Sequence, residues 1–383
     1  MDEFTRWTGR GVSARIFLGC GGGEFIMENT FHIYVPGVII AFVLAYLLMP
    51  VIIKLAFRIG AVDQPNARKV HSQPMPRLGG AGIFIAFIVI VGATLSLDRT
   101  LIGILLGGTV VFLVGVLDDI YHLSPWAKLA AQIAAALIAV YCGVRVDVMT
   151  NPFDGVFELG VLSIPLTLLW IIGITNAVNL IDGLDGLAAG VCAIAAITIG
   201  IVAWKGNQVV IAYVALVLTG AIIGFLPHNF HPARIFMGDS GSMFLGFILA
   251  CLSVSGLAKG ATLISLCIPV IILGIPVFDT LFAIIRRVNN QKPIFGADKD
   301  HLHHRLMEMG MSHQMSVIVI YFVSALLGGA AVVMAYVSSP KALLVLAAVL
   351  IMMIIGARRV GIIGGGSGIE ERLPKEGRYT KGL

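Results

Sequence analysis

Apolar residues in this chain run unbroken for long stretches, and the polar positions collect between those runs. A run of about 20 apolar residues is long enough for a helix to cross about 30 Å of hydrocarbon. Eleven runs stand out, near 34–57, 79–97, 100–117, 127–143, 161–178, 186–204, 208–226, 241–257, 262–284, 315–337 and 341–357. The pattern predicts an all-α polytopic integral membrane protein of about eleven transmembrane helices. The membrane domain is expected over 32–357, preceded by a poorly ordered leader (1–31) and followed by a cytoplasmic tail (358–383). In the leader only Ile16, Phe17 and Leu18 separate Arg15 from Gly19-Cys20, too few apolar residues for a lipoprotein signal. Met27 is an alternative start. One polar connection, 144–160, alternates at Val144–Val148, turns through Asn151-Pro152-Phe153-Asp154-Gly155 and resumes at Val156, which predicts a small exterior β-hairpin.

Composition agrees. Of 383 residues 58% are hydrophobic and 12% charged, with a mean hydropathy of +0.96. Soluble domains carry about 25% charge, so a soluble enzyme, a coiled coil and a disordered chain are excluded. Gly is abundant at 45 residues, as close helix packing in a bilayer favours. The net charge of +5 suggests no nucleic-acid partner, because no run of five basic residues occurs. Five single cysteines form no metal-type pair. Basic residues set the orientation: seventeen fall on one set of loops and the tail, five on the opposite loops. The richer side is expected in the cytoplasm, with the N-terminus outside and the C-terminus inside.

The carboxylates then become informative. Between the first and last runs, ten acids fall on the expected inner side and four outside, three of those in the hairpin. Charges are costly near a bilayer, and several acids at one membrane face suggest hard oxygen ligands for a divalent cation. Asp118 and Asp119 end the third run as an adjacent pair, and Lys128 starts the next. Asn176, Asn179, Asp182 and Asp185 recur every third residue, so they share one site only if the helix stops or tightens, which Gly183 and Gly186 allow. Asp239 sits in Gly238-Asp239-Ser240-Gly241-Ser242, where small residues permit backbone to approach a phosphate and a serine can cap the helix. His301, His303, His304 and Arg305 crowd the longest inner loop, a tract suited to a transition metal or, with Arg305, to phosphate oxygens. Between the first two runs, Arg68, Lys69, His71 and Arg77 add cations beside Asp63, with a Gly79-Gly80 pair, again on the expected inner side.

Taken together, Asp63–Gly80, Asp118-Asp119, Asn176–Gly190, Gly238–Gly241 and His301–Arg305 resemble the polyprenyl-phosphate N-acetylhexosamine-1-phosphate transferases, in order and over roughly 35–340. The likeness is strongest to the bacterial undecaprenyl-phosphate N-acetylglucosamine-1-phosphate transferases. It implies an enzyme of the bacterial cytoplasmic membrane with its site on the inner face. Such an enzyme transfers sugar 1-phosphate from a UDP-N-acetylhexosamine, by family default UDP-GlcNAc, to undecaprenyl phosphate. UMP is released, and the lipid product initiates cell-surface polysaccharides such as lipopolysaccharide O-antigen or teichoic acid. Mg²⁺ is implied as cofactor, with Mn²⁺ as an alternative ion, and a homodimer is left open. The resemblance implies Asp239 as metal ligand assisted by Asn179, and Asp118 and Asp119 as the catalytic pair. It places Asp182 and Asp185, with Asn176 alongside, at the nucleotide. It gives Lys128 and Arg77 to phosphates, and His301, His303, His304 and Arg305 to the diphosphate or sugar. The phospho-N-acetylmuramoyl-pentapeptide transferases share the acid motifs, but Pro76–Gly80 and His301–Arg305 resemble the N-acetylhexosamine branch. An ion-coupled transporter is the rival from another class; its site belongs near the midplane between repeats, and no repeat is visible here.

Overall fold

The computed structural model describes residues 25–64, 74–146, 148–150, 156–257, 263–289, 291 and 301–361. Helix α1 (Phe25–Ile59) begins inside the stretch expected to be a leader, and residues 1–24 and 362–383 lie outside the described residues. Then come α2 (Gly80–Thr94), α3 (Arg99–Tyr121), α4 (Pro125–Tyr141), α5 (Ser163–Ile181), α6 (Leu187–Lys205), α7 (Val209–Asn229) and α8 (Gly238–Leu257). The chain continues through α9 (Leu263–Ile272), α10 (Gly274–Asn289), the short α11 (Leu302–Glu308), α12 (His313–Tyr336) and α13 (Ser339–Arg359).

Eight of these helices are long and apolar enough to cross a membrane. Two of the expected crossings, α2 and α4, are shorter apolar helices. A third, 262–284, is broken at Leu273 into α9 and α10, with Pro269 and Pro276 on either side. Proline removes a backbone donor and crowds the preceding turn, which accounts for the break. Polar starts fix several helices: Asp98 Oδ1 accepts from the Leu101 N–H at 2.7 Å, and Ser124 Oγ from the Ala127 N–H at 3.3 Å with Pro125 following.

Packing sorts the helices into inner and outer. Nearly all of α8 is buried, against α3, α5, α2 and α6, with Phe244 edge-on to Phe84, Phe87 and Phe112. Helices α1 and α13 instead expose Ile39, Leu47, Val51, Leu344 and Ile351, an apolar exterior suited to a lipid surrounding. The protein is a multi-pass membrane protein. Along α7, Gly220 and Gly224 lie directly against the α1 carbonyls of Val38 and Phe42, a small-xxx-small contact that any side chain would block.

Two small sheets complete the fold. The expected hairpin forms from β3 (Val148–Thr150) and β4 (Val156–Glu158), with Met149 opposite Phe157. Its first strand starts at Val148 rather than Val144, and its turn lies outside the described residues. At the other end of the bundle, β1 (Val62–Asp63) pairs with β2 (Met75–Pro76). The segment 236–237 joins on, through Phe236 N–H to Pro76 O (2.8 Å), Gly79 N–H to Phe236 O and Gly80 N–H to Met237 O (both 2.9 Å). This pairing brings Arg77 beside the start of α8.

Candidate active site

Helix α3 delivers Asp118 and Asp119 at its last turn, and the left-handed His122 ends it. The two carboxylates diverge, as adjacent side chains on a helix must. Asp119 points into the bundle with a fully buried side chain; its Oδ1 accepts from the Asp239 N–H (2.8 Å) and its Oδ2 from the Ser240 N–H (3.1 Å). It is thus the N-terminal cap of α8, supplied by another helix, and an anion there also favours the helix dipole. Neither serine does this: Ser242 Oγ donates to Gly238 O, and Ser240 Oγ is buried without a hydrogen bond. The close approach depends on glycine. A Cβ on Gly115 would overlap the Ser240 backbone, one on Gly80 the Gly241 backbone, and Gly238 has a φ of +74°. The small residues around Asp239 therefore let helices meet.

Asp118 is buried as well but turns to other partners. Its Oδ1 accepts from the Leu123 N–H (2.7 Å), and its Oδ2 lies 3.2 Å from Lys128 Nζ. Lys128 also reaches Asp239 Oδ2 at 2.9 Å, bridging two acids that lie far apart in sequence. Arg77 closes the other side, with Nη2 3.4 Å from Asp239 Oδ1 and 3.7 Å from Asp119 Oδ1, and Nη1 3.7 Å from Asp63 Oδ1. Burial works against the Arg77 charge, but Asp119, Asp239, Asp63 and Asp182 overcome it and hold its pKa above the usual guanidinium range.

The helix stop expected at Gly183 and Gly186 is present. Helix α5 ends at Ile181, Gly186 takes a left-handed φ of +77°, and α6 starts at Leu187. The stop turns Asn179, Asp182 and Asp185 into one cleft of about 370 Å³ with Asp63, Arg77, Asn229, Gly238 and Asp239. Asn176, one turn earlier, is not in this lining; it pairs with Gln132, its Nδ2 donating to Gln132 Oε1 at 2.7 Å. Asn179 Nδ2 donates to Ser242 Oγ (2.8 Å), which leaves its oxygen for a cation. The half-buried Asp182 has its pKa pushed up to about 7, by burial first and then by Asp239.

The His301–Arg305 tract packs on this loop. His303 Nε2 lies against Gly183, where a Cβ would clash with it. His301 Nδ1 bonds Asp279 Oδ2 at 2.8 Å, and Asp279 Oδ1 accepts from the Leu302 N–H at 2.8 Å, so Asp279 anchors the start of α11. His304 tilts onto His303 at 4.2 Å, and the half-buried Arg305 lies 3.6 Å from the exposed Glu308. Burial, and then the neighbouring His304, lower the His303 pKa to about 4. At neutral pH His303 is an uncharged hydrogen-bonding group. Arg68, Lys69 and His71 lie outside the described residues.

Sequence reasoning left Asp63, Gln132, Asn229 and Asp279 without site roles. Asn229 accepts from the Gly186 N–H and donates to Ile235 O, both at 3.0 Å, locking the two cleft loops together. Its place two residues before His231-Pro232 was the available signal.

Five acids (Asp63, Asp118, Asp119, Asp182, Asp239) meet two bases here among the described residues. The surplus of hard oxygen donors around Asp239 fits a divalent cation such as Mg²⁺. Fold and cleft together define a multi-pass membrane protein with an acid-rich cleft where its helices end.

Comparison with known proteins extends this. Residues 101–257 match Glycosyl transferase family 4. A Bacillus subtilis (strain 168) protein named "Probable undecaprenyl-phosphate N-acetylglucosaminyl 1-phosphate transferase" is 48% identical over 292 residues, 75% of this chain and 82% of that protein. The decaprenyl-phosphate N-acetylglucosaminephosphotransferase of Mycobacterium tuberculosis (strain ATCC 25618 / H37Rv) is 40% identical over 298 residues, 70% of this chain and 74% of its own. A phospho-N-acetylmuramoyl-pentapeptide-transferase of Halalkalibacterium halodurans is 32% identical over 312 residues, 75% and 93% of the two chains. The chain belongs to Glycosyl transferase family 4 and is a glycosyl-1-phosphate transferase.

Proposed function

We propose that this protein transfers N-acetylglucosamine 1-phosphate from UDP-GlcNAc to undecaprenyl phosphate, at the cytoplasmic face of a bacterial membrane, as the first step of a cell-surface polysaccharide. The observation that carries the reading is the cleft itself, where Lys128 and Arg77 are held by four of the acids where apolar helices end. The name and 48% identity of the Bacillus relative support the choice of sugar and lipid.

Phosphoryl transfer asks the protein mainly for positioning and charge neutralisation. Asp239, with the Asn179 oxygen, would hold Mg²⁺, which supplies further positive charge for the diphosphate. Lys128, kept in place by Asp118, and Arg77, kept by Asp63, hold the phosphates that must meet. Asp119 is a positioning residue, fixing the start of α8 and so Asp239. A phosphate oxygen of the lipid attacks the β-phosphorus of the donor, the bond from that phosphorus to the bridging oxygen breaks, and UMP leaves. A phosphate monoester has a second pKa near about 6, so the lipid dianion predominates at neutral pH and little base catalysis is required. Asp182 and Asp185 serve the nucleotide, and neutral His303 the sugar or diphosphate.

The test is product formation from a panel of UDP-sugars with undecaprenyl phosphate and Mg²⁺. UDP-GlcNAc is expected to give UMP and the lipid-diphospho-sugar. Turnover of UDP-N-acetylmuramoyl-pentapeptide in its place would assign the protein to that other branch.

A further inference from the structure

Beside the cleft, three side chains from three separate elements converge, and of these the transfer reading uses only Asp185. Asp185 comes from the α5–α6 loop, His231 from the α7–α8 loop and His313 from the first turn of α12. One donor atom from each lies within 4.8 Å of the other two, and all three side chains are half-buried. His231 Nδ1 is 2.8 Å from Asp185 Oδ2, the two imidazoles stack at 4.5 Å and 25°, and His313 Nε2 is buried without a hydrogen-bond partner. The Ala233 N–H holds Asp185 Oδ2 at 3.2 Å, and Gln314 Nε2 holds His231 O at 3.3 Å, so the loops carrying the donors are tied down.

We propose that Asp185, His231 and His313 form a binding site for a transition-metal ion of the Zn²⁺ class, separate from the divalent cation of the cleft. Nitrogen and carboxylate donors bind Zn²⁺ at about 2.0–2.2 Å, which sets tetrahedral neighbours about 3.3 Å apart. The donors, within 4.8 Å of one another, draw together and the stacked imidazoles turn towards a common point to reach that spacing. His231 moves its proton from Nδ1 to Nε2, giving the metal a lone pair with no net proton change. The chemistry also separates the two sites: two imidazoles favour a borderline-soft ion, whereas the all-oxygen set around Asp239 favours a hard one. Three protein donors leave a fourth position for water. Because Asp185 also lines the cleft, an ion there would fix one wall of it, an outcome that a metal-dependent change in donor affinity would report.

The test uses tag-free, full-length protein in detergent, stripped with a chelator and titrated with Co²⁺ alone. The expected result is one Co²⁺ per chain with the visible absorption of a tetrahedral ion, displaced by equimolar Zn²⁺. His231→Ala and His313→Ala are each expected to weaken binding at least about tenfold. His304→Ala, which alters the other histidine group, should leave it intact. The melting temperature of each variant without metal is read first, with His313→Gln replacing any alanine variant that melts early. Absence of the visible band in the wild type would overturn the site whatever the variants do. So would a band that survives both substitutions, or one lost with His304. None of these readouts depends on transferase activity, so failure here and failure of the transfer reading are distinguishable.

Discussion

At the scale of single residues, the cleft divides its acids by what each oxygen already holds. Asp239 shares its carboxylate between Lys128 and Arg77, the cationic positions a metal and phosphates would compete for. Asp239→Asn keeps size and removes charge, so the Mg²⁺ activation curve should move to higher concentration; UMP release against Mg²⁺ at saturating substrates checks it. Asp118→Asn should leave that curve nearly in place and lower the maximal rate through a loosened Lys128. An equal Mg²⁺ shift in both variants would make Asp118 a co-ligand. Asp119 is different again, since both its oxygens cap α8. Hydrogen bonds to a charged group contribute about 1.5–3 kcal/mol, so Asp119→Ala should lower the melting temperature as well as the rate. A rate loss with unchanged melting would contradict the capping role. His303 offers a pH test. Its folded pKa of about 4 lies below the ordinary imidazole value. As pH falls below about 6.5, the unfolded chain binds a proton that the folded one refuses until about 4. Stability from this group is therefore full above that window and lost as pH falls through it. His303→Asn should flatten the acid side of a melting-temperature profile over that range.

At the scale of elements, glycine decides which helices meet. Gly115 and Gly80 touch the backbone at the start of α8, whereas Gly173 on α5 faces open space. Gly115→Ala should destabilise by about 1–3 kcal/mol through overpacking and lower activity with it. Gly173→Ala should be neutral or stabilising by about 0.5–1 kcal/mol. Melting curves of the two variants in one detergent compare them, and equal effects would contradict the packing account. Some of this layer was legible in sequence. Four polar residues at three-residue intervals demanded a helix stop, and Gly183 and Gly186 supplied it; apolar run length located the helices. The Leu273 break was not legible, because 262–284 reads as one largely apolar run that continues through Pro269, Pro276 and Asp279. Nor was the capping of α8 by Asp119, whose partners lie 120 and 121 residues away. Local sequence shows that an acid sits at a helix end, not which helix it will meet. The pairing of Asn176 was hidden for a related reason: its partner Gln132 is 44 residues upstream, on α4.

At the scale of the whole molecule, the described acids and bases of the site gather at one end of the helices, away from the β3–β4 hairpin. A transporter site near the bilayer midplane does not fit that arrangement. The basic-residue count predicts that a reporter fused after Arg359 is cytoplasmic and one within 144–160 exterior. Both on one side would refute the eleven-crossing topology. Which bond the cleft breaks is read directly with a donor labelled at the β-phosphorus. With β-³²P-labelled UDP-GlcNAc, undecaprenyl phosphate and Mg²⁺, label is expected to pass into the organic phase in step with UMP release. Release of labelled UDP into the aqueous phase, with unlabelled sugar on the lipid, would contradict it.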